Sequence, residues 1–275
     1  MSDNNKLDLS KYILSKLDTT NYKTTNEYND NKKQASKCLK DIGKSLSEYT
    51  NFHDLWIGDN MDYDIYIIYY GNNNEIYNKY KSKVNYIEKR KGSKFQNFKY
   101  FYDKYTNIVN YYERFFILDD DIIINVKDIN YMFYISKVFN LDICGPSFSK
   151  NSKISHQITK HKPGTLLSYT NFVEVNIPLF NKLSLQKLME KLDSTLIGWG
   201  IDILYIHCNG LNKKNSYAII HKIICENPKD EKKNTERELK NVENYNKRKN
   251  IWLYFAKKHN ITPDIYKIVY KDIMM

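Results

Sequence analysis

The sequence predicts an α/β protein, a three-layer α/β/α sandwich whose central sheet is mainly parallel. Continuous apolar runs at residues 64–71 and 114–118 are typical of strands that are buried on both faces of a parallel sheet. Apolar residues with helical spacing lie between such runs, most clearly at residues 128–139. Strands that alternate with helices predict a sheet covered by helices on both faces, with ligands at the carboxyl ends of the strands.

Further apolar runs and helical stretches extend this alternation along the chain. The other predicted strands are residues 141–146, 171–175 and 217–221, and the other predicted helices are residues 183–192 and 200–208. Residues 1–36 are polar and predict a tail with one short helix, and residues 37–228 are expected to form a single domain. Residues 229–275 predict helices packed on that domain, because interleaved charges are followed by an apolar face that includes Trp252 and Phe255.

Composition narrows the classes of protein that need to be considered. The 275 residues carry 43 Lys and Arg against 32 Asp and Glu, a formal net charge of +11, which makes nucleotides and phosphates plausible ligands. Only four cations are arginines, whereas nucleic-acid readers use arginine forks, so we expect no nucleic-acid partner. The excess of lysine, asparagine, isoleucine and tyrosine is typical of an AT-rich genome, such as that of a giant virus or a protist.

Cysteine usage and hydropathy predict the compartment. The 4 cysteines form no CxxC pair, which favours a reducing setting, and the apolar runs are too short to span a membrane. We therefore expect a cytoplasmic protein without a transmembrane segment, in the host cytoplasm or the virion if the genome is viral.

Three consecutive aspartates, Asp119, Asp120 and Asp121, follow the second apolar run. In extended geometry the first and third point to the same side with their Cα atoms roughly 6–7 Å apart, so two carboxylates converge on one point. Their mutual repulsion is costly unless a cation compensates, and a divalent ion prefers such oxygen ligands. A solvated acidic turn, or a helix start capped by Asp121 or Asp128, is the structural alternative.

Two later signals accompany the triplet. In the motif Gly198-Trp199-Gly200-Ile201-Asp202 the glycines permit a tight turn, the indole offers a flat face for a sugar, and Asp202 falls in the first turn of the next helix. That carboxylate can deprotonate a hydroxyl, or it can be an ordinary N-terminal helix charge beside a buried tryptophan. His221 ends an apolar run, where a neutral imidazole either completes a metal shell or plays a structural part.

The order of these motifs resembles metal-dependent glycosyltransferases of the Rossmann-like A-type fold, in which a D-x-D motif and a later histidine hold Mn²⁺ or Mg²⁺ against the diphosphate of a nucleotide sugar. The resemblance is closest to a poorly characterised family of domain-of-unknown-function proteins and runs from about residue 37 to residue 221. Four further segments match: residues 69–71, 91–94, 155–159 and 170–175. One departure is residues 38–43, where two charges interrupt the expected first strand.

The resemblance implies a role for each matching residue. Asp119, Asp121 and His221 would bind the metal, and Asp202 would be the catalytic base. Lys94 and Asp120 would contact the UDP- or GDP-sugar donor, in a half of the domain that ends near residue 125. Independently of the resemblance, Lys222 could add a positive charge at the donor diphosphate. Gly198, Trp199, His156 and Asn171 would face the acceptor, which is a glycan, a protein or a lipid. The reaction would be hexosyl transfer to an acceptor hydroxyl.

Three rival classes are weaker. Gly43-Lys44-Ser45 is similar to the end of a phosphate-binding P-loop, but Cys38 stands where that motif has glycine. A D-x-D phosphotransferase of the haloacid-dehalogenase type has its motif on an early strand, not in mid-chain. A non-catalytic, basic RNA- or protein-binding module has no reason to keep both acidic motifs.

Overall fold

A computed structural model of the chain describes residues 55–229 and 243–275, and it confirms most of the predicted elements. The strands are β1 (Tyr66–Tyr69), β2 (Tyr86–Lys89), β3 (Arg114–Phe116), β4 (Ile143–Phe148), β5 (Thr165–Thr170), β6 (Leu179–Asn181), β7 (Tyr217–Cys225) and β8 (Val269–Met274). The helices are α1 (Asn74–Lys81), α2 (Lys94–Lys104), α3 (Thr106–Tyr111), α4 (Val126–Val138), α5 (Lys182–Lys191), α6 (Ile201–Asn209) and α7 (Tyr245–Lys258), with a short 3-10 turn at Gln157–Thr159.

The main sheet is mixed, so the prediction of a mainly parallel sheet is wrong. Its six strands lie in the order β3-β6-β4-β7-β5-β8, and of these neighbours only β4 and β7 run parallel. Strands β1 and β2 form a separate parallel pair. A strand buried on both faces has the same continuous apolar sequence whichever way its neighbour runs, so periodicity did not encode the direction.

Helices cover both faces of the main sheet, as the layered prediction requires. Neighbouring residues of one strand enter opposite cores, because strand side chains alternate between faces. Ile143 and Tyr217 pack in a cluster with residues of α5, α6 and α7, whereas Cys144 and Ala218 pack in a second cluster with α4. The sheet is therefore the middle of three layers.

Two predicted elements differ from the structure. Residues 171–175 form a loop, not a strand, because the Thr170 hydroxyl accepts a hydrogen bond from the Phe172 amide (3.2 Å) and donates one to the Phe172 carbonyl (2.6 Å), which turns the chain. The C-terminal region holds helix α7 but ends in a strand, since β8 pairs antiparallel with β5 at the edge of the sheet.

The predicted N-terminal tail (1–36), the interrupted first strand (38–43), the P-loop-like residues 43–45 and most of the charged stretch after residue 229 lie outside the described residues. Within the described ranges, every helix is too short or too polar to cross a membrane.

Candidate active-site cleft

A cleft of about 1760 Å³ contains both acidic motifs. The β1–β2 pair and α2 supply part of its lining. The segment after β3 supplies Asp119 to Asp121, and the turn before α6 together with the start of that helix supplies Gly198 to Asp202. Residues from α7 and the segment after it complete the lining, among them Trp252 and Lys267. The acidic triplet and the motif about eighty positions later thus share one cavity.

Backbone pairing beyond the end of β3 places the acidic triplet. The Ile117 amide donates to the Pro178 carbonyl (2.9 Å), and the Asp119 amide donates to the Asn176 carbonyl (3.0 Å). The chain then turns, since the Ile122 amide donates to the Asp119 carbonyl at 3.3 Å. The predicted fully extended geometry of the triplet is therefore wrong, although all three carboxylates line the cleft.

The triplet does not cap the helix that follows it. Asn125 is the N-cap of α4, and its side chain accepts a hydrogen bond from the Asp128 amide at 2.9 Å. Asp128 lies buried in the first turn of that helix. The capping alternative for Asp121 is therefore excluded.

Lys94 and Tyr70 compensate part of the negative charge. The Lys94 ammonium lies 2.8 Å from Asp119 Oδ1 and donates to the carbonyls of Val175 (2.7 Å) and Asn176 (2.8 Å), so its three protons all have acceptors. The Tyr70 hydroxyl donates a hydrogen bond to Asp120. Burial and the neighbouring Asp121 charge nevertheless raise the pKa of Asp120 to about 7.

The predicted third metal ligand lies elsewhere, which corrects the sequence-based ligand set. His221 is buried in β7 and does not line the cleft. Its Nδ1 accepts a hydrogen bond from the Lys162 amide (3.2 Å), and its Nε2 lies 2.9 Å from Ser168 Oγ. Both ring nitrogens are used in packing the sheet, so the structural interpretation of this histidine holds. No group of three or more His, Cys, Asp or Glu residues suited to a metal occurs among the described residues.

The chemistry of Asp119 and Asp121 still fits a hard divalent cation. Carboxylates are the oxygen donors that Mn²⁺ and Mg²⁺ prefer, both residues line the cleft, and an anionic substrate can supply further oxygens. Among the described residues, the lining of the cleft carries nine carboxyl groups against six lysine and arginine side chains, although the chain as a whole has a net charge of +11. Two of the nine, Asp120 and Glu174, have pKa values of about 7 and are only partly ionised at pH 7, so the acidic excess of this lining is small.

Gly200 explains how the second motif is built. This glycine precedes α6 with φ of 76°, in the left-handed region, and a side chain there would overlap the indole of Trp252 from α7. The close packing fixes the start of α6, so that Asp202 lies in its first turn and lines the cleft. Burial raises the pKa of Asp202 to about 6, although the Ile203 amide donates to its Oδ1 at 3.0 Å. The group is a stronger base than an exposed aspartate and is still ionised at pH 7.

Glu174 is a cleft carboxyl to which sequence reasoning gave no role. It is only 4% exposed, and it accepts hydrogen bonds from Asn176 Nδ2 (2.9 Å) and from the Thr159 hydroxyl (3.3 Å). Burial raises its pKa to about 7, and the nearby Asp202 and Asp119 charges add to the rise. A carboxyl within an apolar run, residues 172–175, was the signal that could have identified it.

The remaining sequence-predicted residues divide between the cleft and other places. Gly198, Trp199 and His156 line the cleft, and the indole of Trp199 packs edge-on against Tyr245 at 4.7 Å between ring centres. Lys222 lies in β7 and does not line the cleft. Asn171 does not line it either, because its side chain bonds to the backbone of the segment before β8.

Comparisons with known proteins add little to this geometry. No protein-family model matches the chain, and no curated protein matches it. Among solved structures, the crystal structure of S. aureus TarS is similar over 79% of this chain, with 13% identity and a TM-score of 0.43. The chain spans 41% of the length of that protein. A TM-score under 0.5 does not establish a shared fold, so this likeness assigns no function to the chain.

Proposed function

We propose that the protein is a glycosyltransferase that moves a hexose from a UDP- or GDP-sugar to an acceptor hydroxyl, assisted by Mn²⁺ or Mg²⁺. One observation carries the proposal: two acidic motifs about eighty residues apart line the same cleft, one suited to a cation and the other to a general base. The order of these motifs is also what the resemblance to A-type glycosyltransferases requires.

The charge balance of the cleft supports a cation on the donor side. Breaking the bond between the sugar and the diphosphate leaves added negative charge on the departing nucleotide. A cleft with more carboxylates than basic groups would repel that anion. A divalent ion held by Asp119 and Asp121 would bind and stabilise it. Lys94 would then position Asp119 instead of binding the donor directly, since its three protons are engaged.

Asp202 is the proposed general base. The acceptor oxygen forms a bond to the anomeric carbon, the bond from that carbon to the diphosphate breaks, and the hydroxyl proton passes to the Asp202 carboxylate. Direct displacement of this kind inverts the anomeric centre. Trp199 and Gly198 line the cleft beside this carboxylate and would contact the acceptor.

The rest of the donor would occupy the N-terminal side of the cleft. Aromatic side chains from that side, including Tyr66 and Tyr112, line the cavity and offer faces for a nucleobase. The RNA-binding alternative gains no support from the described residues, because a groove for a polyanion needs a basic lining and the part of the cleft lining that they form has more acidic than basic groups.

Thermal-shift measurements with UDP, GDP, orthophosphate and RNA, each with and without Mn²⁺, test the donor site. We expect stabilisation by a nucleoside diphosphate only when Mn²⁺ is present. Asp121→Asn should abolish that stabilisation, and Asp202→Asn should preserve it while removing sugar transfer. Asp103→Asn makes the same chemical change on α2 outside the cleft and is the matched control.

The alternatives give different results in the same experiment. Stabilisation by RNA alone would favour the binding module, and stabilisation by orthophosphate alone would favour the phosphotransferase. Full sugar transfer by both Asp121→Asn and Asp202→Asn would refute the site assignment.

A further inference from the structure

A side pocket of about 590 Å³ opens beside the cleft. Two segments line it, residues 155–158 and residues 264–267. Four residues line both cavities: Ser155, His156, Asp264 and Lys267. A ligand that occupies the acceptor side of the cleft can therefore continue into the side pocket without leaving the protein surface.

Tyr266 is an exposed aromatic residue on a fixed backbone at the wall of this pocket. Its side chain is 87% exposed, yet the backbone that follows it is held by the buried Asn171. Asn171 Nδ2 donates to the Tyr266 carbonyl at 2.7 Å, and the Ile268 amide donates to Asn171 Oδ1 at 2.7 Å. Because the backbone is already ordered, the ring can bind a ligand at a low entropic cost.

The charges around the side pocket cancel. Lys267 Nζ lies 3.4 Å from Asp264 Oδ1 and 4.8 Å from the centre of the Phe172 ring. His156 packs edge-on against the same ring at 4.8 Å, and burial together with the Lys267 charge lowers its pKa to about 4. The imidazole is therefore neutral at pH 7. One lysine and one aspartate that pair with each other leave no net charge for an ionic ligand.

We propose that the side pocket binds a second, uncharged sugar unit of the acceptor, so that the acceptor is an oligosaccharide. The inference rests on the proposed transferase function and names its acceptor class. A flat ring fits the apolar face of a sugar, and the polar side chains of Gln157, Asp264 and Lys267 surround it with groups that can bond to hydroxyls. Asn171, expected from the sequence to contact the acceptor, becomes a positioning residue that holds Tyr266.

Initial rates of transfer to sugars of increasing length test the inference on the full chain. The acceptors are glucose, galactose and N-acetylglucosamine, with maltose, cellobiose, lactose and chitobiose as their neutral disaccharides, and sialyllactose as the charged member. For at least one pair we expect the disaccharide to have a KM roughly tenfold below that of its monosaccharide, the effect of one additional aromatic contact.

Substitutions assign the effect to the tyrosine ring. Tyr266→Ala should raise the KM of the disaccharide to that of the monosaccharide with kcat unchanged, and Tyr266→Phe should keep the low KM because the ring remains. Tyr111→Ala removes a tyrosine that is 86% exposed and lines neither cavity, so it should behave like the wild type.

The outcomes separate this inference from the proposed function. If the protein releases nucleoside diphosphate from the donor but has equal KM values for mono- and disaccharides, the side-pocket proposal is refuted and the transferase proposal stands. The same holds if Tyr266→Ala has no effect on the KM of the disaccharide. A preference for sialyllactose over lactose refutes the uncharged unit. If no donor is turned over, the transferase proposal fails. Saturation-transfer NMR with chitobiose and maltose then decides whether sugars bind at Tyr266, and no signal refutes the side pocket as well.

Discussion

The pKa of Glu174 predicts a loss of stability with rising pH that one substitution should remove. Burial holds the carboxyl of Glu174 protonated up to about pH 7 in the folded protein, whereas its ordinary value is 4.5. Between these values the unfolded chain has released its proton and the folded protein has kept it. The free energy of unfolding must therefore fall as the pH rises from 4.5 to about 7. Glu174→Gln replaces the buried acid by a neutral amide of the same shape.

The size of the effect follows from the two pKa values. Each unit of difference corresponds to about 1.4 kcal/mol, so a rise from 4.5 to about 7 corresponds to about 3 kcal/mol. The side chain is only 4% exposed, so solvent screening reduces this little. We expect Glu174→Gln to resemble the wild type in stability near pH 4.5 and to exceed it by about 3 kcal/mol near pH 8.

Urea unfolding at several pH values between 4.5 and 8 measures this difference directly. Thr159→Val is the control, because it removes a hydrogen bond to Glu174 and keeps the titrating carboxyl. The control should retain the fall in stability with pH. A difference between Glu174→Gln and the wild type that stays constant across this range would refute the reasoning.

Three further predictions concern the turn before α6, the general base and the ion pair at the acidic triplet. Gly200→Ala should lower the free energy of unfolding by about 3 kcal/mol, since it adds overlap with a buried indole to the strain of a positive φ. Gly198 has a φ of 80° but open space around it, so Gly198→Ala should lower the free energy of unfolding by only about 1 kcal/mol. Equal losses for the two variants in urea unfolding would contradict the packing argument. As a base that must be ionised, Asp202 should cause kcat/KM to fall as the pH drops through about 6, and a profile that stays flat down to pH 5 would exclude it. Lys94→Met removes the ammonium group that pairs with Asp119 and should lower the free energy of unfolding by about 2 kcal/mol, which a lower melting temperature would report. Mn²⁺ should restore part of this loss. A variant as stable as the wild type would contradict the positioning role of Lys94.

Local sequence patterns were sufficient for much of the fold. The apolar runs at 64–71, 114–118, 141–146 and 217–221 overlap strands β1, β3, β4 and β7, whereas β2, β5, β6 and β8 were not predicted. Strands β4 and β7 are buried along most of their length, and burial on both faces requires such runs. The predicted helix at residues 128–139 matches α4 for the same local reason. The prediction of a strand at residues 171–175 was wrong, because this loop is buried in the core that also contains residues of α6, and a buried loop can have the composition of a strand.

The candidate site was only partly predictable. The sequence was sufficient to find Asp119 to Asp121 and Asp202, because a charged residue next to an apolar run can be recognised without a structure. The structure places both motifs in one cleft. His221 carries the same kind of signal, yet its ring faces Ser168 and the Lys162 amide. Which side of the sheet a strand residue faces depends on the register of its neighbours, and that is a property of the assembled sheet.

The sequence by itself determined roughly where several of the strands and helices lie, and that acidic groups follow an apolar run, since both depend on residues close together in the chain. Only the tertiary structure decided the directions of the strands, the ion pair between Lys94 and Asp119, and the contribution of residues after α7 to the lining of the cleft. These features join residues far apart in the chain, and their energies come from burial and pairing across the fold, which no local pattern records.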